Sequence, residues 1–350
     1  MEYTNNISNI FMHRCLELAT LGKGNVSPNP MVGSVIVHEN KIIGEGYHMQ
    51  YGGPHAEVNA INSVQDKSLL TSSTLYVNLE PCNHFGKTPP CSNLITANNI
   101  PKVVIGCIDT YSEVAGAGIE HLKQNGVNVI VNFLEKEARE LNKRFFTFHE
   151  KLRPYIILKW AETNDGFMDQ TRVQGQKGIN WITQPETQQL THKWRSEEAA
   201  ILVGTNTVIN DNPNLTCRAI SGKNPTRIVI DKTLKIEDSS NILNHSSDTI
   251  IFNESVTKEE ENLTFIKINF NDNVLPQILS ELYKKNIQSV IIEGGPTTLQ
   301  HFIDANIWDE ARILRGISNF NKGVKGPLIH TKIKEQFTFG KDTVTIYAND

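Results

Sequence analysis

The sequence has no long apolar run, and none of its hydrophobic stretches approaches the roughly 20 residues that a membrane-spanning helix needs. Its first residues, MEYTNNISNIF, also lack the basic start and long apolar core of a secretory signal peptide. These two absences predict a protein without membrane spans that is located in the cytoplasm.

Clusters of basic residues are also missing. Lysine and arginine are spread along the chain, and the formal net charge is -4. Proteins that bind nucleic acids usually carry a basic patch that faces the phosphates. The sequence therefore predicts a small-molecule substrate and no nucleic-acid partner.

Cysteines are few, and their number is odd: the chain has Cys15, Cys82, Cys91, Cys107 and Cys217. Such a set is unsuited to a disulfide framework and fits a reducing compartment. Cys15 lies in an amphipathic stretch and Cys107 ends the apolar run VVIGC, so we expect both to be buried packing residues. Cys82 and Cys91 need another explanation.

The length of 350 residues exceeds what one hydrophobic core usually organises, which favours two domains. In both halves, short β-like runs such as TLYVNL and SVIIEGG alternate with segments of helical spacing, a pattern that predicts α/β folds. The charged helical stretch LEKEARELNKRFFTFHEKLRP stops at Pro154, where a helix cannot easily continue. We therefore expect the boundary between about 148 and 154, with domains at 1–150 and 151–350.

The pair of cysteines has a histidine partner. His55 and Glu57 open a helix, and Cys82 and Cys91 follow later in the chain. One imidazole and two thiolates leave the fourth position of a tetrahedral zinc ion for water, which is typical of a catalytic site. Zinc lowers the pKa of that water towards about 7, and Glu57 is placed to pass its proton to a leaving amine.

The order of these residues matches a known signature of zinc nucleobase deaminases, H-x-E followed by P-C-x-x-C. Eight residues separate Cys82 from Cys91, where the general motif has two. A structural zinc site with His84 as the fourth ligand is the alternative, although it would leave Glu57 without a task. A Glu57→Gln protein that still binds zinc separates the two hypotheses by its activity.

Three motifs of the first half carry a family resemblance: PNPMVG at 28–33, GGPHAE at 52–57 and PCNHFGKTPPC at 81–91. Together they resemble the deaminase domain of the bifunctional riboflavin-biosynthesis deaminase/reductases, in the cytidine-deaminase-like superfamily, whose wide cysteine spacing they share. The resemblance implies an N-terminal cytidine-deaminase-like α/β/α sandwich with one zinc ion. It implies deamination of 2,5-diamino-6-(5-phosphoribosylamino)pyrimidin-4(3H)-one to 5-amino-6-(5-phosphoribosylamino)uracil.

The resemblance also implies that Asn29 holds the pyrimidine ring and that His84 and Lys87 lie towards the ribose phosphate. Asn29 sits between two prolines that restrict the backbone, and its amide can both donate to and accept from a base edge. Lys87 offers a point charge for a phosphate. A plain turn residue and a solvated loop lysine are the alternatives, and His48 is left outside the predicted site.

The second half shows no nucleophile set, second metal set or Walker loop after residue 154, and the Gly-Gly-Pro at 294–296 is too short for a Rossmann fingerprint. SVIIEGGPTTLQHFI predicts a strand, a glycine turn and a helix that begins with Pro296. Free backbone N–H groups at such a helix start can bind phosphate. An ordinary tight connection is the alternative.

Scattered stretches of this half, in the order KWA, NDG, WIT, GTNTV, DNP, LTCR and EGGPT, resemble the dihydrofolate-reductase-like reductase domain of the same family over most of 154–315. The resemblance implies a C-terminal α/β domain that reduces the ribose to a ribityl chain with NADPH. The implied NADPH contacts are Ala161, Trp181, Thr207, Asp211, Gly295, Pro296, Thr297, Thr298, Leu299, Gln300 and His301. The implied substrate contacts are Arg195, Leu215, Arg218 and Glu293.

Two features of this half depart from the family pattern. Ile179 stands where the family often has a small polar residue, so a substrate contact there would use the backbone. The segment at 167–177, FMDQTRVQGQK, is longer than usual. Neither departure removes an implied arginine, and two guanidinium groups suit a phosphate because each can pair its oxygens in bidentate fashion.

The sequence thus predicts a bifunctional riboflavin-biosynthesis enzyme with zinc and NADPH as cofactors, and the resemblance suggests a homo-oligomer. One alternative is a single-function zinc nucleotide or RNA-base deaminase with a vestigial second domain. Another is a binding module in which zinc is purely structural, and loss of the fold on chelation would favour it.

Overall fold

The computed structural model describes residues 2–83, 89–111, 115–173 and 176–349, with side chains from residue 9 onward. The chain divides into two compact units, Met1–Lys151 and Leu152–Asp350. Within the described residues no helix is both long and apolar enough to cross a bilayer.

Unit 1 alternates helices and strands. Its elements are α1 (Glu2–Thr20), β1 (Gly33–His38), β2 (Lys41–Tyr47), α2 (Ala56–Ser63), β3 (Thr74–Leu79), α3 (Cys91–Ala97), β4 (Lys102–Cys107), α4 (Ala117–Gln124), β5 (Asn128–Ile130), α5 (Glu135–Leu141) and α6 (Lys143–Lys151). The strands form one sheet in the order β2-β1-β3-β4-β5. β1 is antiparallel to both neighbours, whereas β3, β4 and β5 are parallel.

Both faces of this sheet are covered by helices. Successive side chains of a strand point to opposite faces. In β4, Val104 therefore packs with Phe11 and Met12 of α1, while Val103 and Ile105 pack on the other face among residues of α2, α3 and α4. The predicted α/β/α sandwich is confirmed.

Unit 2 is built around a larger sheet. Its elements are β6 (Tyr155–Glu162), β7 (Phe167–Asp169), α7 (Pro185–Glu197), β8 (Ala200–Gly204), α8 (Thr205–Asp211), β9 (Thr226–Ile230), β10 (Thr249–Asn253), β11 (Lys258–Glu260), β12 (Leu263–Lys267), α9 (Val274–Lys284), β13 (Ser289–Gly294), α10 (Pro296–Asp304), β14 (Glu310–Arg315), β15 (Val324–Lys325), β16 (Ile333–Phe339) and β17 (Asp342–Ala348).

Ten of these strands form one sheet in the order β11-β12-β10-β9-β8-β13-β6-β14-β17-β16, and β7 pairs with β15. The seven strands from β12 to β14 in this order are parallel, and the outer strands are antiparallel. Side chains of α9 and α10 cover one face, and side chains of α7 and α8 cover the other. The predicted α/β fold is confirmed, and the carboxyl ends of the parallel strands mark the edge where such sheets bind ligands.

Candidate metal centre and cofactor cavity

Three metal-ligating side chains meet at one edge of the unit 1 sheet. His55 is the residue before α2, Cys82 follows β3, and Cys91 is the first residue of α3. The Nδ1 atom of His55 lies 3.5 Å from Sγ of Cys82 and 3.4 Å from Sγ of Cys91, and the three ligand atoms lie within 4.8 Å of one another. With bonds of about 2.0 Å to nitrogen and 2.3 Å to sulfur, a tetrahedral zinc ion separates its ligands by roughly 3.5 Å. The donor set therefore fits zinc.

The protein itself stabilises one thiolate at this centre, that of Cys82, whereas the hydrogen bond to Cys82 and burial raise the pKa of the Cys91 thiol. A hydrogen bond from Cys91 lowers the pKa of the Cys82 thiol, and His55 lowers it further against the opposing effect of burial. The same contact with Cys82 raises the pKa of His55. Because zinc binds cysteine as the thiolate, this environment prepares the ligand form of Cys82.

Glu57 lies in the first turn of α2, and only 3% of it is exposed. Burial raises the pKa of this carboxyl group to about 7, although the neighbouring His55 acts in the opposite direction. A carboxyl group that titrates near neutral pH can both accept and donate a proton. The structure thus places a group with acid–base properties directly beside the metal ligands.

Asn29 lies next to a histidine that the sequence analysis leaves out of the site. Its Nδ2 atom is 3.1 Å from Nε2 of His48, whose Nδ1 atom is 3.0 Å from the carbonyl oxygen of Pro54. The rings of His48 and His55 are 5.5 Å apart. Asn29 therefore contacts His48, and the ring of His48 in turn packs against that of the metal ligand His55. The predicted contacts His84 and Lys87 lie outside the described residues.

Unit 2 contains a cavity of about 1450 Å³ at the carboxyl ends of its parallel strands. The walls hold most of the residues that the resemblance implies: Ala161, Trp181, Arg195, Thr207, Asp211, Leu215, Arg218, Glu293, Gly295, Pro296, Thr297, Thr298 and His301. Leu299 instead packs into the hydrophobic core, and Gln300 donates to Asp304 on the helix surface. Ile179 also lines the cavity.

Three charged side chains that are only 9–12% exposed meet on one wall of this cavity. Arg195 donates from Nε and Nη2 to the carboxylate of Glu293 at 3.1 and 2.7 Å, and Nζ of Lys159 lies 3.9 Å from the same carboxylate. Burial raises the pKa of Glu293, but Arg195 and Lys159 outweigh this effect and bring it to about 2. Glu293 is therefore ionised. Sequence reasoning missed Lys159 as a site residue, although a lysine inside the apolar run YIILKWA was the available signal.

Arg172, in the long segment that the sequence analysis singles out, joins Asp169 and Gly178 to Asp211 at the cavity rim. Arg172 donates to Asp211 at 2.7 Å, to Asp169 at 2.6 Å and to the carbonyl oxygen of Gly178 at 2.8 Å. Its side chain is only 14% exposed. Sequence reasoning assigned this segment no role, because an arginine in a polar loop carries no recognisable spacing.

The cavity also fits an elongated anionic cofactor. Helix α10 starts at its wall after Gly295, with Pro296 in the first turn and free N–H groups that can bind phosphate. Lys232, Thr233 and Lys235 line another part of the cavity. Pockets for single drug-sized ligands measure about 300–1000 Å³. The larger volume here accommodates a dinucleotide together with a second small molecule.

Two family models match the chain. The cytidine and deoxycytidylate deaminase zinc-binding region matches residues 6–107, and the RibD C-terminal domain matches residues 154–316. With the metal centre and the cofactor cavity, these matches define a two-domain deaminase/reductase.

Curated relatives that match most of the chain support the same assignment. The riboflavin biosynthesis protein RibD of Aquifex aeolicus (strain VF5) is 38% identical over 349 residues, which cover 97% of this chain and 96% of that protein. RibD of Bacillus amyloliquefaciens is 39% identical over 309 residues, 86% of this chain and 82% of that protein. The chain therefore belongs to the RibD family.

Solved structures support the same assignment. A diaminohydroxyphosphoribosylaminopyrimidine deaminase/5-amino-6-(5-phosphoribosylamino)uracil reductase from Thermotoga maritima matches with a TM-score of 0.88 and 34% identity, covering 98% of this chain and 99% of that chain. RibD of Acinetobacter baumannii matches with a TM-score of 0.89 and 27% identity, with the same coverage.

The chain is thus a bifunctional enzyme of riboflavin biosynthesis, a zinc-dependent deaminase and an NADPH-dependent reductase. The predicted function and both predicted cofactors are confirmed. The alternative of a single-function deaminase with a vestigial second domain is not supported, because both domains match their families.

Proposed function

We propose that residues 1–150 form the deaminase domain and residues 151–350 the reductase domain. The first converts 2,5-diamino-6-(5-phosphoribosylamino)pyrimidin-4(3H)-one to 5-amino-6-(5-phosphoribosylamino)uracil with release of ammonia. The second reduces the ribose of that product to the ribityl chain. The observation that carries this proposal is the convergence of His55, Cys82 and Cys91 beside a buried Glu57, in a chain similar to the Thermotoga maritima enzyme with these two reactions in its name.

In the deaminase domain, His55, Cys82 and Cys91 would hold a zinc ion, whose Lewis acidity would make water a competent nucleophile at neutral pH. Glu57 would accept the proton that the attacking water loses and deliver a proton to the departing amine. A pKa of about 7 suits both transfers, because the group is neither a strong acid nor a strong base at neutral pH. Glu57 is therefore the proposed catalytic residue.

Substrate orientation in this domain is assigned to Asn29. Its side chain donates to His48, and its Oδ1 atom accepts no hydrogen bond from the described residues. That oxygen is available to an N–H group on the edge of the pyrimidine ring. His84 and Lys87 stay predicted contacts to the phosphoribosyl group.

In the reductase domain, Ala161, Trp181, Thr207, Asp211 and the cavity-lining residues of 295–301 bind NADPH, which supplies the hydride. The remaining task of the protein is to hold and orient the substrate.

The substrate contacts proposed for this domain are Arg195, Leu215, Arg218 and Glu293, which all line the cavity. Arg195 and Lys159 keep Glu293 ionised, so its carboxylate can accept hydrogen bonds from the ribose hydroxyl groups. Arg218 adds a guanidinium for the phosphate.

For the cellular setting we propose a cytoplasmic homo-oligomer that binds no nucleic acid. The net charge of -4 and the absence of a basic cluster in the sequence support the last point. Light scattering on the purified protein measures the number of subunits, and a single subunit would contradict the proposed oligomer.

The two reactions are tested together with zinc-loaded protein and the diaminopyrimidine phosphoriboside, while ammonia release and NADPH oxidation are followed separately. We expect ammonia without added NADPH, and NADPH oxidation when either the substrate or the deaminated product is supplied. Absence of ammonia from fully zinc-loaded protein would contradict the deaminase assignment. Ammonia release without NADPH oxidation would contradict the reductase assignment.

A further inference from the structure

Two buried amide side chains hold Met31 and Gly33, at the point where the loop that carries Asn29 leads into β1. Asn142 accepts from the backbone nitrogen of Met31 at 2.8 Å and donates to the carbonyl oxygen of Met31 at 2.9 Å. Asn78 donates to the same carbonyl oxygen at 3.0 Å and accepts from the nitrogen of Gly33 at 2.7 Å. Each amide therefore uses both its oxygen and its nitrogen on the backbone of Met31 and Gly33.

The two asparagines come from separate elements and are almost fully buried. Asn78 lies in β3 and is 0% exposed, while Asn142 lies between α5 and α6 and is 2% exposed. A buried amide that loses its hydrogen-bond partners destabilises the fold. Because these hydrogen bonds run to Met31 and to Gly33 at the start of β1, they fix the end of the loop relative to β3 and to the α5–α6 junction.

Fixing Met31 also restricts Asn29, which lies two residues earlier in the same loop. The backbone nitrogen of Asn29 donates to the carbonyl oxygen of Val26 at 2.8 Å, which closes the turn. The Asn29 side chain is then directed to His48. In neutral His48 the Nδ1–H group donates to Pro54, so Nε2 accepts from the Asn29 amide and fixes which way that amide faces.

We propose that Asn78 and Asn142 are positioning residues of the deaminase, which set the place of the Asn29 amide relative to the metal centre. The inference rests on the proposed function, since it assumes that Asn29 contacts the pyrimidine ring. It assigns the helices α5 and α6 to the substrate site, although the match to the deaminase zinc-binding region ends at residue 107. A displacement of about 1 Å in a positioned group can lower the rate about a hundredfold.

The first test compares Asn142→Ala and Asn78→Ala with Asn98→Ala, which removes an amide that donates to Leu94 at 2.8 Å in the same unit. For the two loop variants we expect kcat/KM for ammonia release to fall about 10- to 100-fold, mainly through a higher KM. Zinc content should stay at one ion per chain, and NADPH oxidation with the deaminated product should stay within about twofold. The Asn98→Ala variant should keep the wild-type KM.

The second test is a double-mutant cycle with Asn29→Ala. If Asn142 acts through Asn29, Asn142→Ala lowers kcat/KM by less than about twofold once Asn29 is absent. A general structural role instead makes the two losses multiply, and this result would overturn the inference. Asn142→Asp, which keeps the acceptor for the Met31 nitrogen, should show an intermediate loss and replaces Asn142→Ala in the cycle if that variant does not fold.

The outcomes also separate this inference from the proposed function. If Asn29→Ala keeps the full kcat/KM, the proposed contact between Asn29 and the ring is wrong and the inference fails with it. If Asn29→Ala is impaired while both loop variants behave like Asn98→Ala, the inference alone is wrong.

Discussion

The two sites of this enzyme differ in how their residues are distributed. The metal centre gathers three ligand atoms within 4.8 Å from the short stretch between His55 and Cys91. The cofactor cavity of about 1450 Å³ is lined by residues scattered from Lys159 to Val324. A metal ion needs a few donors at fixed spacing, whereas a dinucleotide is bound by shape, backbone groups and many modest contacts. Metal chemistry is therefore visible in a motif, and cofactor binding is not.

The two sites also differ in the pKa of a carboxyl group that each contains. Burial raises the pKa of Glu57 to about 7, whereas Arg195 and Lys159 bring that of Glu293 to about 2. The first group is suited to proton transfer at neutral pH, and the second stays ionised and is suited to orientation. The two roles differ because burial outweighs the opposing effect of His55 at Glu57, whereas Arg195 and Lys159 outweigh burial at Glu293.

Loss of a metal ligand should give the largest effect. We expect Cys91→Ala to lose zinc and to lower ammonia release at least about a thousandfold, because the metal contributes several kcal/mol to the transition state. NADPH oxidation with the deaminated product should not change. Metal analysis and the two assays measure this. Cys107→Ala, which alters another buried cysteine of unit 1, is the control and should keep its zinc. Ammonia release by a zinc-free Cys91→Ala protein would contradict the account.

Removing the carboxylate of Glu293 should have the next largest effect. Glu293→Gln leaves Arg195 and Lys159 without their anionic partner, which costs about 3–5 kcal/mol of stability. We expect NADPH oxidation to fall about a hundredfold and thermal unfolding of unit 2 to occur at lower temperature, while ammonia release persists. Glu260→Gln, at an exposed pair with Lys258, is the control. If the Glu293→Gln and Glu260→Gln variants behave equally, Glu293 is not part of the reductase site.

The same carboxylate predicts a pH dependence. The folded pKa of Glu293, about 2, lies below the unfolded value of about 4.3. Its stabilising contribution is therefore complete above about pH 4.3 and is lost as the pH falls towards 2. Denaturant titrations of wild-type and Glu293→Gln protein should converge in free energy of unfolding over this range. A constant difference between them down to pH 2 would show that Glu293 does not carry this contribution.

Substitution at the cavity rim should have the smallest effect. Arg172→Ala frees Asp211 and the segment at 167–177, and we expect the KM for NADPH to rise about tenfold with a smaller change in kcat. Lys177→Ala is the matched control, because Lys177 lies in the same segment with a side chain that is 60% exposed. If both variants keep the wild-type KM, Arg172 does not organise the cofactor site.

Much of the fold and of the metal centre could be predicted from the sequence. The α/β alternation, the zinc ligands and Glu57 follow from periodicity and from motif spacing. The strands after residue 309 were not predicted, and β16 is mostly exposed and lacks the alternation that marks a half-buried strand.

The residues that sequence reasoning missed act through long-range contacts. Asn142 is 111 positions from Met31, and Arg172 is 39 positions from Asp211. Such pairs have no spacing rule, because the fold alone brings them together. The family resemblance supplied most of the cavity residues, but Leu299 and Gln300 were included as members of a contiguous stretch, and a helix turns some of its residues away from any one wall.

The central claim is that two chemically independent sites work on one chain. The most direct measurement uses zinc-loaded Glu57→Gln protein and determines ammonia release from the diaminopyrimidine and NADPH oxidation with the deaminated product in one preparation. The account predicts that ammonia release falls about 10²- to 10⁴-fold while NADPH oxidation stays within about twofold of wild type. Unchanged ammonia release, or an equal loss of both activities, would contradict it.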